Sequence, residues 1–184
     1  FVTGPAFIVL ALQAVRRFSD FHVPDGAIAT LLKVLRVTVL LNLFLVGCEV
    51  FTEFYTGSAH VASAKYLYFG LHGHHALTPF IWTAITFNVT AAAIFLTTSM
   101  RTHLWRIDIA CVLTLVGIWI EKGLGLIVPG FVPSTLHEIV EYLPNRLEWK
   151  VSLGVAALSL IVFTLGLKLA VAIFSGRMNV RATI

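Results

Sequence analysis

The apolar residues of this chain lie in long blocks parted by short polar connections, and five blocks stand out: residues 1–15, 31–55, 76–100, 104–128 and 151–174. Four of them are near or above the roughly 20 residues that an α-helix needs to cross about 30 Å of hydrocarbon. The first is shorter and closes on Arg16-Arg17; it reads as a helix that lacks its first residues or begins inside a bundle. Within lipid every backbone N–H and C=O must find a partner, and for blocks of this length the helix provides it. The pattern predicts an all-α, polytopic transmembrane helical bundle with about five membrane-spanning helices, forming a single helical domain over residues 1–184. The chain opens on Phe1 without Met or a basic leader, so it is expected to be the C-terminal part of a longer membrane subunit, inserted through its own helices.

The connections predict an orientation. Arg16, Arg17, Lys33 and Arg36 flank the first connection, Arg101 and Arg106 the third, and Arg177 and Arg181 lie in the tail. Basic residues favour the cytoplasmic side, so these ends and the C-terminus are expected there. The second connection, 56–75, holds only Lys65, and the fourth, 129–150, mixes Arg146 and Lys150 with Glu138, Glu141 and Glu148; both are expected on the periplasmic side of a bacterial or archaeal cytoplasmic membrane. In the fourth, residues 132–142 read as a short interfacial helix that Ser134 caps, with Leu136, Ile139, Val140 and Leu143 on its apolar face and His137 near its start.

Composition points the same way. Apolar residues make up 58% and charged residues 12% of the chain, against about a quarter charged in a soluble domain, too few to cover a solvated surface. The net charge of +4 comes from basic residues placed singly or in pairs at the ends of apolar runs, a distribution that fits a bilayer better than nucleic acid. Cys48 and Cys111 each sit inside an apolar run with no second Cys or His at ligand spacing, which argues against a disulfide framework or a cluster held by this chain.

An ionisable residue within a membrane helix costs about 3 kcal/mol on insertion scales, so each one calls for a reason. Glu49 and Glu53 are four residues apart on one helix face, with Tyr55 beyond them and Asn42 two turns deeper. Two carboxylates so close in a low dielectric do not both stay ionised easily, a property suited to proton transfer. The competing reading is a pair of interfacial carboxylates paired with Lys65 or an Arg elsewhere. Glu121 and Lys122 interrupt the fourth block; Lys122 can snorkel outward, whereas Glu121 is expected to face the bundle and meet Glu53, a His or an Arg. Arg36 and Asp108, at the cytoplasmic ends of two helices, are expected to pair across the bundle. His60, His72, His74, His75 and His137 all fall in the outer connections, and the centres of the five blocks contain no His, which argues against b-type haem. Imidazole as a group titrates near neutral pH, which suits proton exchange or a quinone carbonyl, though satisfied interfacial His residues are the commoner case. The glycines of 70–73 and 123–125, with Pro129-Gly130, break helix ends on the outer side. With Glu49, Glu53, Glu121 and His137 they outline a polar region near the periplasmic face, and these four are the candidate proton-path residues.

Three segments carry a family resemblance: Glu49-Val50-Phe51-Thr52-Glu53-Phe54-Tyr55-Thr56-Gly57, Tyr66-Leu67-Tyr68-Phe69-Gly70, and residues 119–134 from Trp119-Ile120-Glu121-Lys122-Gly123-Leu124-Gly125 to Pro133-Ser134. They resemble the polysulfide-reductase membrane-subunit family (NrfD/PsrC type), nearest to its DsrP-like branch, the membrane subunit of the electron-transfer complex associated with dissimilatory sulfite reductase. The likeness extends over most of the chain and corresponds to the later helices of a longer protein. It implies a membrane subunit of sulfur metabolism with no haem or metal of its own. Such a subunit exchanges electrons between membrane quinone, menaquinone or ubiquinone as exchangeable substrate, and a periplasmic Fe–S subunit, with cytochromes among the further partners. The family's quinone pocket lies in the earlier bundle, so the resemblance assigns no quinone-binding residue here. Two other functions fit the same residues: an ion-translocating subunit in which Glu49, Glu53 and Glu121 carry H⁺ or Na⁺, and a membrane anchor for peripheral subunits.

Overall fold

The computed structural model describes residues 1–19, 21–57, 61–98, 104–127, 129 and 145–176. Six helices occur among them: α1 Thr3–Phe18, α2 Asp25–Thr56, α3 Val61–Tyr68, α4 Thr78–Thr97, α5 Leu104–Ile127 and α6 Arg146–Phe174. Four of these, α2, α4, α5 and α6, are long and apolar enough to cross a membrane, which marks a multi-pass membrane protein. The expectation of about five spans meets four such helices, because α1 has 16 residues. The chain divides into two compact units, Phe1–Tyr142 and Leu143–Ile184.

In the first unit, small residues let the helices approach closely. The side chains buried from α4 are Ile81, Ala84, Asn88, Ala91, Ala92 and Phe95, and those from α5 are Ile107, Ala110, Cys111, Thr114 and Gly117. Steps of three and four put each set on one stripe, and Ala and Gly at the contact favour tight backbone packing in lipid. α1 packs on α5 and α2, and α2 contributes Ile28, Leu32, Leu35 and Val39 from its first half. Val37, Leu41, Phe44, Leu45 and Phe51 on the same helix stay exposed, as side chains facing lipid tails would.

The ends of the helices are set by specific groups. α2 starts after Pro24 and closes on Gly57, whose φ of 60° is the left-handed conformation of a C-cap glycine. At the end of α4, the Arg36 guanidinium donates from Nε to the Phe95 carbonyl at 2.7 Å and from Nη2 to the Thr98 carbonyl at 2.9 Å. This corrects the expected Arg36–Asp108 pair: carbonyls left without an intrahelical partner at the end of α4 take the cation instead. One Asp108 oxygen, Oδ1, is buried without a hydrogen-bond partner among the described residues. Arg36→Ala is therefore expected to destabilise the bundle by about 1.5–3 kcal/mol, the worth of hydrogen bonds to a charged group, with Lys restoring only part because it lacks the fork. The midpoint of unfolding in detergent checks this.

α3 falls in a stretch that the sequence reads as a connection. It buries Ala64, Tyr66 and Leu67, and Tyr66 and Leu67 pack with Leu77 and Ile81 at the start of α4. The turn that follows pairs Leu71 with His74 through two backbone hydrogen bonds of 3.1 and 2.9 Å. His72 and Gly73 at its tip both have positive φ, 50° and 88°, the signature of a type I′ turn.

In the second unit, α6 begins at Arg146, five residues before the apolar block. The Asn145 side chain accepts from the Arg146 N–H at 2.6 Å, and the Glu148 carboxylate accepts from the Asn145 N–H at 3.1 Å, a capping box that starts the helix early. The short helix expected over 132–142 lies outside the described residues.

Candidate functional site

Near its C-terminal end α5 widens. Residues Ile120–Leu124 form a π-helical turn, and the Gly125 N–H reaches back to the Ile120 carbonyl, five residues earlier. A turn of this kind inserts one residue into the winding and is frequent at functional sites. Here it carries Glu121 and Lys122. Glu121 prolongs the buried stripe of Ile107, Ala110, Thr114 and Gly117, which points its carboxylate into the bundle with only 6% of its surface exposed.

Asn88 from the centre of α4 meets it there: Asn88 Nδ2 donates to Glu121 Oε2 at 2.7 Å, and Asn88 is 1% exposed. The amide fits because position 117 is glycine. A Cβ at that position would stand 2.5 Å from Asn88 Oδ1, 3.1 Å from its Cγ and 3.2 Å from the Ala84 carbonyl oxygen. On the other side of the carboxylate, Lys122 Nζ lies 3.0 Å from Glu121 Oε1 and 3.4 Å from Glu49 Oε2 on α2. The ammonium is half-exposed and stands between a buried carboxylate and a half-exposed one. Lys122 is thus held across α2 and α5 rather than snorkelling freely, and the partners of Glu121 are Asn88 and Lys122 in place of the expected Glu53, His or Arg.

Glu49 and Glu53 both line a cleft of about 180 Å³, with Tyr68 and Ser63 among its polar walls and Val50, Leu67 and Leu126 among its apolar ones. Glu53 Oε2 is buried there without a hydrogen-bond partner among the described residues. Burial pushes the Tyr68 hydroxyl up to about 12, and the carboxylates of Glu49 and Glu121 push the same way, so it remains a protonated donor at neutral pH. Trp82 Nε1 donates to the Tyr68 carbonyl at 3.0 Å and ties α3 to α4 beside the cleft. Asn42 does not join this group. It lines a second cleft, of about 200 Å³, with Thr38, Leu45, Ile118 and Lys122.

Family models, curated proteins and solved structures offer no match to this chain. The site is therefore read from its own geometry. Of the four candidate proton-path residues, Glu49 and Glu121 meet at Lys122, Glu53 joins Glu49 in lining the cleft, and His137 lies outside the described residues. Among the described residues no group of three or more His, Cys, Asp or Glu is placed to hold a metal ion. The sequence reading passed over Asn88 and Tyr68. Asn88 carried a legible signal, a lone amide at the centre of an apolar span with no titratable residue. Tyr68 carried none, because nothing local marks α3 as a helix that leans over the carboxylates.

Proposed function

We propose that the chain is an integral membrane subunit of a respiratory redox complex in the cytoplasmic membrane, and that it moves protons through Glu121, Lys122, Glu49 and Glu53 while electrons pass between membrane quinol and a periplasmic Fe–S partner. The observation that carries the reading is one ammonium shared by two carboxylates at 3.0 and 3.4 Å on a widened helical turn. A buried carboxylate such as Glu121 is expensive in a bilayer and is retained where protons or ions move.

Oxidising a quinol releases two electrons, which the Fe–S partner accepts, and two protons, which need a base. Glu49 and Glu53 offer carboxylates at a cleft with apolar walls. A proton taken up by Glu49 weakens its hold on Lys122 and leaves the ammonium to Glu121. Lys122 passes a proton to Glu121 and is reprotonated from Glu49, so the charge on the lysine is restored and the proton has advanced one carboxylate into the bundle. Asn88 holds the inner carboxylate in place throughout. The resemblance to the polysulfide-reductase membrane subunits supports the redox role of the subunit and assigns no quinone-binding residue to this chain.

The test is quinone-driven reduction or oxidation of the Fe–S centres in the intact complex, with Glu121→Gln beside the natural protein. Glutamine keeps the shape and cannot ionise, so proton-coupled turnover is expected to fall by about a hundredfold or more. Turnover unchanged by Glu121→Gln, or Fe–S centres indifferent to quinone, overturns the proposal. The π turn under a charged pair also suits an ion-translocating subunit. Proton or Na⁺ flux in vesicles without an electron donor would favour that second reading.

A further inference from the structure

Asn88 is more than a filler opposite Glu121. An ionised carboxylate can only accept hydrogen bonds, whereas a protonated one must also donate. A proton carrier buried among fixed donors is left with a clash in one of its two states. Asn88 now donates through Nδ2, and its own Oδ1 is buried without a hydrogen-bond partner among the described residues. The two ends of the amide are nearly the same shape, and half a turn about χ2, a soft torsion, exchanges them. After that turn Oδ1 faces Glu121 and can accept from the protonated carboxyl. The surface beside the amide is the bare Cα of Gly117, where any Cβ would obstruct it.

We infer that Asn88 is a positioning residue that reverses its side-chain amide with the protonation of Glu121, so that Glu121 is hydrogen-bonded in both states and can load and unload a proton. The inference rests on the proposed role of Glu121 as a proton carrier. The titratable groups that face Glu121 are Lys122 from its own helix, Glu49 from α2 and Tyr68 from α3; α4 has no titratable residue and presents the amide. Lys122 answers the charge of Glu121 from the Oε1 side, and Asn88 answers its hydrogen-bonding state from the Oε2 side.

The experiment is infrared difference spectroscopy of the intact complex, low pH minus high pH, together with quinone turnover, on the natural protein and on Asn88→Leu, Asn88→Ser and Glu121→Gln. The protonated carboxyl band of Glu121 is identified by its loss in Glu121→Gln. As that band grows, a side-chain amide C=O band is expected to move to lower frequency, because Oδ1 gains a hydrogen bond, and this movement is expected to vanish in both Asn88→Leu and Glu121→Gln. Leucine repeats the branched heavy-atom outline of asparagine, is larger and makes no hydrogen bond, and it is expected to slow turnover about tenfold, the equivalent of one buried hydrogen bond. Serine leaves a larger void but both donates and accepts, directly or through water, and it is expected to retain more turnover than leucine. A purely structural Asn88 would leave the amide band unmoved as the Glu121 carboxyl band grows. An amide band indifferent to Glu121, or Asn88→Leu turning over as fast as the natural protein, overturns the inference even where Glu121→Gln is inactive. A fully active Glu121→Gln, or no Glu121-dependent carboxyl band at any pH, overturns the inference together with the reading beneath it.

Discussion

Lys122→Met is expected to lower both the stability of the bundle and the turnover of the complex, whereas Lys122→Arg keeps the first and loses the second. Removing the ammonium strips Glu121, 6% exposed, of the cation at 3.0 Å from Oε1 and leaves only the Asn88 amide to offset a buried charge. Breaking a fully buried ion pair by deleting one partner costs about 3–5 kcal/mol. Lys122 is 44% exposed, so water reaches the pair, and we expect about 1–3 kcal/mol instead. Part of that loss is relieved when Glu121 takes up a proton and becomes neutral. Arginine restores the charge and the stability, but its guanidinium does not give up a proton under physiological conditions, so it can pair and cannot relay. Turnover about a hundredfold below the natural protein in both variants, with the unfolding midpoint depressed in the methionine variant alone, is the expected outcome. Full turnover in Lys122→Arg would reduce the lysine to a counter-ion.

Gly117→Ala should be damaging to the packing of α4 on α5. The new Cβ meets Asn88 Oδ1 at 2.5 Å and the Ala84 backbone carbonyl at 3.2 Å, so a change of rotamer at Asn88 relieves only half of the conflict and α4 must shift against α5. Overpacking of this kind costs about 1–3 kcal/mol. Gly47→Ala is the control: nothing stands within 4 Å of the added methyl, and alanine in a helix is favoured over glycine by up to about 1 kcal/mol. The midpoint of unfolding in detergent should therefore fall for Gly117→Ala and hold or rise for Gly47→Ala. Equal midpoints would mean that α4 and α5 are not packed as described.

The long helices were legible because lipid makes a simple demand. A run of about 20 apolar residues has one way to satisfy its backbone, and the blocks 31–55, 76–100, 104–128 and 151–174 each hold one long helix among their described residues. Their boundaries were less legible, since hydropathy does not register a cap. Pro24 and Asp25 begin α2 six residues before its apolar block, and Asn145 with Glu148 does the same for α6. The eight-residue α3 could not be read at all, because its stability comes from Tyr66 and Leu67 packing on a helix ten or more residues away.

The site was half legible for a related reason. Carboxylates in an apolar run announce themselves by their cost, and Glu49, Glu53 and Glu121 were found that way. What joins them was hidden by the assumption of regular winding, under which Glu121 and Lys122 point about 100° apart and need not meet. The partner of Arg36 was missed because opposite charges were matched first, while the cation had gone to backbone carbonyls at the end of α4.

The widened segment Ile120–Leu124 makes the spacing of residues here as decisive as their identity. Deleting one position from it would return the coil to its usual pitch while the turns on either side kept their present faces, because the turn is an α-helix with one residue inserted. Gly125 would keep its seat against Ile81, and the change would fall on the turn itself, where Glu121 and Lys122 stand. A homologue one residue shorter at this point would pack these helices alike and lack the place where this carboxylate and this ammonium meet.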